Sequence, residues 1–417
     1  MQKFIDDLKK RGLISQITDE SKLIKSLESD SSLYCGFDPT ADSLHVGSLL
    51  PLITLLRFKK SGVNIIPLIG GSTGMIGDPS GKSIERTLNS EETVNQFKES
   101  IVNQIKSILG DVEVLDNNDW TSKFSIIDFL REFGKHFSVN SMLAKESVRN
   151  RIEREDQGIS FTEFSYQLLQ SMDFWHLFKS NNCSIQIGGS DQWGNITSGM
   201  DLIHKKEGND AVVAGLTIPL LVKSDGTKFG KSEAGTVWLS SNKTRPFDFF
   251  QFWLKVPDSD IERFFKMLSF KSFEEIDAII EEDKNRSKPI AQRLLAEELT
   301  ELVHGKEILN SVLRVTKALF ENNFDELNES DFISLNKDGM VMIESKEPHM
   351  LELLLSSGLI KSNRQGRELI SAGAVLVNGI KQILTDEESN SFVITDFKHG
   401  FAVLQKGKRD FRLIKKI

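Results

Sequence analysis

Between residues 30 and about 240, short apolar runs that end in glycine or polar turns alternate with longer amphipathic stretches. This alternation limits the fold more than any other feature of the chain. Ser32–Phe37, Asn64–Ile69, Val112–Leu115 and Ser184–Ile187 read as strands. Leu49–Lys60, Glu91–Leu109, Ile126–His136, Phe161–Ser180 and Asn195–Lys206 read as helices. Strands separated by helices cannot pair through tight turns. They pair in parallel through right-handed crossovers, which gives an α/β parallel sheet covered by helices.

The remainder divides by composition. Residues 246 to about 320 lack strand signals and carry helix-period runs such as Ile290–Leu299, so they read as all-helical. Residues 321–346, rich in Asn, Asp and Glu, read as a linker. The last block mixes two short helices with strands. The expected domains are therefore 1–240 (parallel sheet), 241–320 (helical), 321–346 (linker) and 347–417 (α+β). The chain has 417 residues and a net charge of −8, yet from Leu351 onward eleven Lys and Arg face only seven acids. A basic end on an acidic body suits an RNA partner, although charge alone equally suits a solvated surface. Two cysteines give no disulfide framework, and the seven histidines show no metal-ligand spacing, so no metal site is expected. The start carries acids early and no long apolar region, and no run approaches the ~18–20 residues of a membrane span. A cytoplasmic protein without membrane contact is expected.

Glycine turns follow the strands. After the first strand, Asp38-Pro39-Thr40 leads to His45-Val46-Gly47-Ser48 and a helix start, where unpaired N–H groups favour a phosphate. Gly70-Gly71-Ser72-Thr73-Gly74 through Asp78-Pro79-Ser80-Gly81-Lys82-Ser83 suggests a P-loop, but Gly77 and Gly81 enclose three residues where that motif needs four. A glycine-rich loop near a ligand describes it better. Tyr166, Gln170 and Asp173 share one helix face, either as plain surface or as a pocket wall. Gly188-Gly189-Ser190-Asp191-Gln192 ends a further strand, with Asp191 placed to accept from a ribose hydroxyl. Asp225-Gly226-Thr227-Lys228-Phe229-Gly230-Lys231-Ser232 is either a phosphate clamp or a solvated hairpin.

Together these segments resemble the bacterial-type tyrosyl-tRNA synthetases, a class I aminoacyl-tRNA synthetase family. The resemblance covers Tyr34 to Asn89, Ile159 to Leu239, Arg245 to Gly305 and the C-terminal block. Ile69–Gly74, Asp78–Lys82 and Gln186–Asn195 are its most specific stretches. His45-Val46-Gly47-Ser48 stands at the HIGH signature and Lys228–Ser232 at KMSKS. Leu359–Ser362, Arg364, Arg367, Gly373 and Val377-Asn378-Gly379 resemble an αL-type RNA-binding module.

The resemblance implies a Rossmann-like catalytic domain that joins L-tyrosine to tRNA(Tyr) through an adenylate. It places Tyr34 and Asp173 on the substrate phenol, Tyr166, Gln170 and Asp78 on its ammonium, and Gln192 near its carboxylate. Cys35, Gly36, Asp38, Gly47, Ser48, Gly189 and Asp191 would hold the nucleotide. Thr40, His45, Lys82, Arg86, Lys228 and Lys231 would meet the phosphates of ATP, which brings its own Mg²⁺. Lys361, Arg364, Arg367 and Lys381 would meet tRNA, and a homodimer is implied.

One departure stands out: Ser48 replaces the second histidine of HIGH, offering a shorter, neutral hydroxyl. It leaves room for an RNA-binding relative without the chemistry. A tryptophan-activating enzyme is opposed by Tyr34 and Asp173, since indole presents no phenol oxygen. The chain has 28 Phe but only two Tyr, and both lie at positions implied to bind tyrosine.

Overall fold

The structure is a computed structural model. It describes the chain except residues 81–88, 146–147, 150–151, 154–157, 225, 228, 233–234, 285–289, 338–339 and 408–409, and the side chains of 231, 232, 337 and 386. Chain contacts divide it into two units, Met1–Lys243 with Val256–Leu295, and Thr244–Lys255 with Ala296–Ile417.

In the first unit the strands are β1 (Gln16–Ile17), β2 (Ser32–Phe37), β3 (Ile65–Ile69), β4 (Leu115–Asp116), β5 (Cys183–Gly189) and β6 (Ala214–Ile218). They form one sheet in the order β1-β6-β5-β2-β3-β4. Every pairing is parallel except that of β1 with β6. β2 and β5 are covered on both faces, which explains why they read as continuous apolar runs rather than alternating ones. From β2 the chain builds outward to β3 and β4, then crosses to β5 and builds outward to β6 on the other side. The direction of winding reverses between β2 and β5. Beyond the carboxyl ends of those two strands the loops diverge and leave a crevice, the usual ligand position in such sheets.

The helices that frame this crevice have local causes. Leu49–Lys60 buries nine of its twelve residues, and Pro51 is tolerated because N–H groups of the first turn have no partner within the helix. Phe161–Ser180 starts at Ser160, whose hydroxyl accepts the Glu163 N–H. The expected Ile126–His136 helix stops at Glu132 and continues as a tighter turn over Gly134–His136, with Gly134 at the break. The expected strand at Val112–Leu115 shrinks to β4, a two-residue edge. β6 was hidden by Gly215, a glycine inside an apolar run. A side chain there would collide with Ile196, so the glycine serves close helix-on-sheet packing. A small hairpin, β7 (Lys231–Ser232) with β8 (Gly235–Thr236), lies further along. No helix among the described residues is long and apolar enough to cross a membrane.

The second unit corrects the domain expectations. The helical block 241–320 is not a unit of its own, because its contacts are shared between both units. Residues 321–346 are not a linker. Phe324, Leu327, Phe332 and Leu335 are buried in the second unit's core, and Glu329–Lys337 is a helix. The buried Asp331 carboxylate takes two hydrogen bonds from Arg314, at 2.7 and 2.9 Å, and one from Ser311 at 2.5 Å. Acidic composition misled because these few apolar positions close the core while most acids stay in solvent. β9 (Met342–Ser345) pairs in parallel with β13 (Asp410–Lys416). With β10 (Val375–Val377), β11 (Ile380–Lys381) and β12 (Phe401–Lys406) they form a sheet in the order β11-β10-β12-β13-β9.

Candidate functional site

A cleft of about 440 Å³ opens at the reversal point between β2 and β5. Its walls are built from the loops that the sequence marked. Tyr34, Asp78, Tyr166, Gln170, Asp173 and Gln192 line one part. Cys35, Gly36, Asp38, Thr40, His45, Gly47, Ser48, Gly189 and Asp191 line the rest. Lys82, Arg86 and Lys228 lie outside the described residues, as does the side chain of Lys231.

At the buried end, Tyr34 and Asp173 are almost fully enclosed, at 1% and 2% exposure. The Tyr34 ring packs against Phe174, and its hydroxyl has no hydrogen-bond partner among the described residues. Asp173 accepts from Trp120 Nε1 at 2.8 Å and from Asn117 Nδ2 at 2.9 Å. Burial raises the Asp173 carboxyl to about 7, against the opposing pull of those two donors, and nearby Asp38 and Asp116 push the same way as burial. The same burial holds the Tyr34 and Tyr166 phenols well above their usual range, so both stay neutral hydrogen-bonding groups. The Cys35 thiol is pushed up to about 12, which leaves it no role as a nucleophile.

A polar chain runs outward from there. Asn117 also donates to Thr73 at 3.0 Å, Thr73 donates to Asp38 at 2.8 Å, and Tyr166 donates to the other Asp38 oxygen at 2.8 Å. A second network holds Asp78: Gln192 Nε2 donates to it at 2.5 Å, Gln170 Nε2 donates to Gln192 at 3.2 Å, and Asn195 donates to Gln170 at 3.0 Å. Asp38 therefore stands at the Tyr166 hydroxyl, and Asp78 is close enough to help hold the Tyr166 phenol above its usual range. This arrangement suits a ligand ammonium. Gly188 carries no side chain because a Cβ would sit 2.9 Å from the Gln192 Cβ.

The opposite end is the entry to the Leu49–Lys60 helix. His45 and Ser48 flank Gly47 there, and the His45 ring folds over the Gly47 backbone. That helix start and the open rim suit the phosphates of a nucleotide.

Asn117, Trp120 and Thr73 carry the inner hydrogen bonds; Thr73 lies in the glycine-rich run after β3, but neither spacing nor glycine pattern marks Asn117 and Trp120 in the sequence. Their one sequence signal is position, since Asn117 and Trp120 follow the β4 run as the other site loops follow their strands. Trp238 also lines the cleft and carries no motif.

In the second unit, Arg364 and Arg367 lie on the Asn363–Ser371 helix, Lys361 lies just before it, and Lys381 lies on β11. Lys361, Arg364 and Lys381 are exposed. Arg364 pairs with Glu368 at 3.0 Å, and Arg367 donates to Asn390.

Comparison with known proteins identifies the family. The tRNA synthetases class I (W and Y) family matches residues 25–321, and the tyrosine–tRNA ligase SYY-like C-terminal domain matches residues 334–414. The tyrosine–tRNA ligase of Aliivibrio fischeri is 48% identical over 98% of this chain and 97% of its own. That of Klebsiella pneumoniae is 48% identical over 99% and 98%. Among solved structures, a C-terminally truncated mitochondrial tyrosyl-tRNA synthetase from Aspergillus nidulans superposes with a TM-score of 0.68 at 32% identity, covering 76% of this chain and 94% of that one. A tyrosyl-tRNA synthetase from Archaeoglobus fulgidus, TM-score 0.55 at 16% identity over 74% of this chain and 99% of its own, shares the fold. The chain belongs to the class I tRNA synthetases of the tyrosine and tryptophan group and, over nearly its whole length, to the tyrosine–tRNA ligases.

Proposed function

We propose that this chain activates L-tyrosine with ATP and transfers it to the 3′-terminal adenosine of tRNA(Tyr), using the cleft between β2 and β5. The observation that carries the reading is the buried pair at its end. The Tyr34 hydroxyl lacks a partner, and the Asp173 carboxylate is already oriented by Trp120 and Asn117. A phenol completes both: it accepts from Tyr34 and donates to Asp173. Phenylalanine would leave both unpaired, a rule of selectivity for which tyrosine-activating enzymes are themselves the standard case. Indole has no oxygen to accept from Tyr34.

The substrate ammonium lies among Asp78, Tyr166 and Gln170, with Gln192 beside the carboxylate. The carboxylate is ionised at neutral pH and attacks the α-phosphorus. The bond to pyrophosphate breaks, and negative charge grows on the phosphoryl oxygens. His45, Thr40 and the backbone at Gly47 face those oxygens, with Lys82, Arg86, Lys228 and Lys231 as further cations. Gly36, Gly189 and Asp191 take the ribose. Mg²⁺ enters with ATP as part of the substrate. The tRNA ribose hydroxyl then attacks the carbonyl and AMP leaves. Ser48 retains a hydroxyl at the phosphate end, which supports an active enzyme.

The tRNA is met by Lys361, Arg364, Arg367 and Lys381, and the reaction takes place in the cytoplasm. The enzyme works as a homodimer. Ile126, Ile127, Leu130, Val139 and Phe161 are exposed apolar side chains of the kind such an interface covers. Pyrophosphate exchange with tyrosine, phenylalanine and tryptophan tests the activation step, and exchange at background with tyrosine overturns it. A light-scattering mass near the 47.0 kDa of one chain overturns the dimer.

A further inference from the structure

His45 reaches the cleft from a segment stitched to another stretch of chain. Val46 N–H donates to Val237 O at 2.9 Å, Leu239 N–H donates to Leu44 O at 2.8 Å, and His45 bridges Trp238 in antiparallel fashion between them. Val237 N–H donates to Gly230 O at 2.9 Å, which ties the same strand to the turn just before Lys231. Across this bridge the two rings meet edge to face, with centroids 6.4 Å apart and an interplanar angle of 61°. On its other side the imidazole lies on Gly47, where a Cβ would stand 2.7 Å from His45 Cε1. Lys243 Nζ sits 4.7 Å from the centre of the Trp238 ring, and Lys243 is itself paired with Asp42.

We propose that Trp238 is a positioning residue for adenylate formation, holding the His45 imidazole in the orientation that faces the ATP phosphates, with Lys243 and Asp42 steadying the ring. The inference rests on the reading of His45 as a phosphate-facing donor. Three facts support it. Trp238 is half-buried at the rim rather than in the core, so its ring is not needed to fill the interior. The neighbouring backbone pairs are made by main-chain atoms and not by its side chain. An exposed imidazole samples several staggered χ1 wells unless neighbours confine it, and the Trp238 ring is one neighbour in contact with it. Ser48 increases the demand, because His45 is then the one imidazole of the motif.

The test is pyrophosphate exchange by the full-length chain as the native form, His45→Ala, Trp238→Ala, Trp238→Phe and the His45→Ala/Trp238→Ala double variant. Losing the His45 donor lowers kcat by about a hundredfold, and misplacing it by about tenfold. Trp238→Ala is therefore expected to lower kcat about tenfold with the KM for tyrosine unchanged. Trp238→Phe restores most of that loss by returning an aromatic edge. With His45 already removed, Trp238→Ala changes the rate less than twofold. An equal tenfold loss in both backgrounds overturns the proposal, because the ring then acts without His45. So does a Phe variant no better than Ala. A His45→Ala enzyme as fast as the native one overturns the reading of His45 itself, and this proposal with it.

Discussion

Replacing Tyr34 by Phe separates the stability of the fold from the selectivity of the site. The hydroxyl is enclosed and has no hydrogen-bond partner among the described residues, while the ring packs against Phe174 with centroids 5.3 Å apart. A buried polar group without a partner costs about 1–3 kcal/mol, so removing it relieves a penalty and leaves the ring packing intact. The one opposing change is the small void left by a single oxygen. Stability is expected to stay level or rise by about 1 kcal/mol. The effect on function has the opposite sign. Tyrosine loses one neutral hydrogen bond, about 0.5–1.5 kcal/mol, or about two- to thirteen-fold in kcat/KM. Phenylalanine never pairs with that hydroxyl, which lacks a partner in the free protein as well, so its activation changes little. The preference for tyrosine over phenylalanine thus shrinks by about two- to thirteen-fold, while Asp173 still opposes phenylalanine. Urea unfolding and pyrophosphate exchange with both amino acids measure the two sides. A loss of more than about 1 kcal/mol in stability would show that the hydroxyl holds the fold. A tyrosine-to-phenylalanine ratio within twofold of native would show that it does not read the phenol.

Three further outcomes are expected. The Asp173 carboxyl titrates near 7 in the fold against 3.8 when exposed. Between those values the folded chain keeps a proton that the unfolded chain has released, so this group's contribution to stability declines as pH rises from about 4 to about 7. The phenol donates to the ionised form, so the KM for tyrosine should fall as pH rises through about 7. An equally steep fall in Asp173→Asn would show that another group is responsible. Tyr166→Phe removes the hydroxyl that donates to Asp38 and would accept from the substrate ammonium; losing that bond to a charged group, about 1.5–3 kcal/mol, should raise the KM for tyrosine by about ten- to a hundredfold, and unchanged kinetics would rule Tyr166 out of the ammonium site. Gly379 has φ +81°, and a Cβ there would collide with the Asn322 carbonyl. Gly379→Ala should destabilise the second unit by more than about 2 kcal/mol, and an unshifted unfolding curve would contradict the close approach.

Much of the catalytic fold was legible because it rests on local patterns. β2, β3 and β5, and the helices at Leu49–Lys60, Glu91–Leu109 and Phe161–Ser180, follow from apolar runs, caps and glycine turns that a short window contains. β6 was missed because its glycine answers to Ile196 on a helix, not to its own neighbours. The segment 321–346 was misread for a related reason. Its average composition is that of solvated chain, and only packing reveals that four apolar residues and the Arg314–Asp331 pair close a core.

The site shows the same division. Tyr166 and Asp173 could be named from one helix face and Asp191 from a strand-end turn, whereas Tyr34 and Asp78 were named from the resemblance alone. Which donors orient Asp173, how far its proton is held, and what confines His45 depend on residues distant in the chain. Asn117 and Trp120 reach Asp173 from the short helix after β4, more than fifty residues away, and Trp238 reaches His45 from nearly two hundred. The sequence alone determined the strand–helix alternation that makes a parallel sheet and the chemical types around the cleft. Tertiary structure decided burial and partnership, because desolvation and hydrogen bonding are properties of what surrounds a group in space.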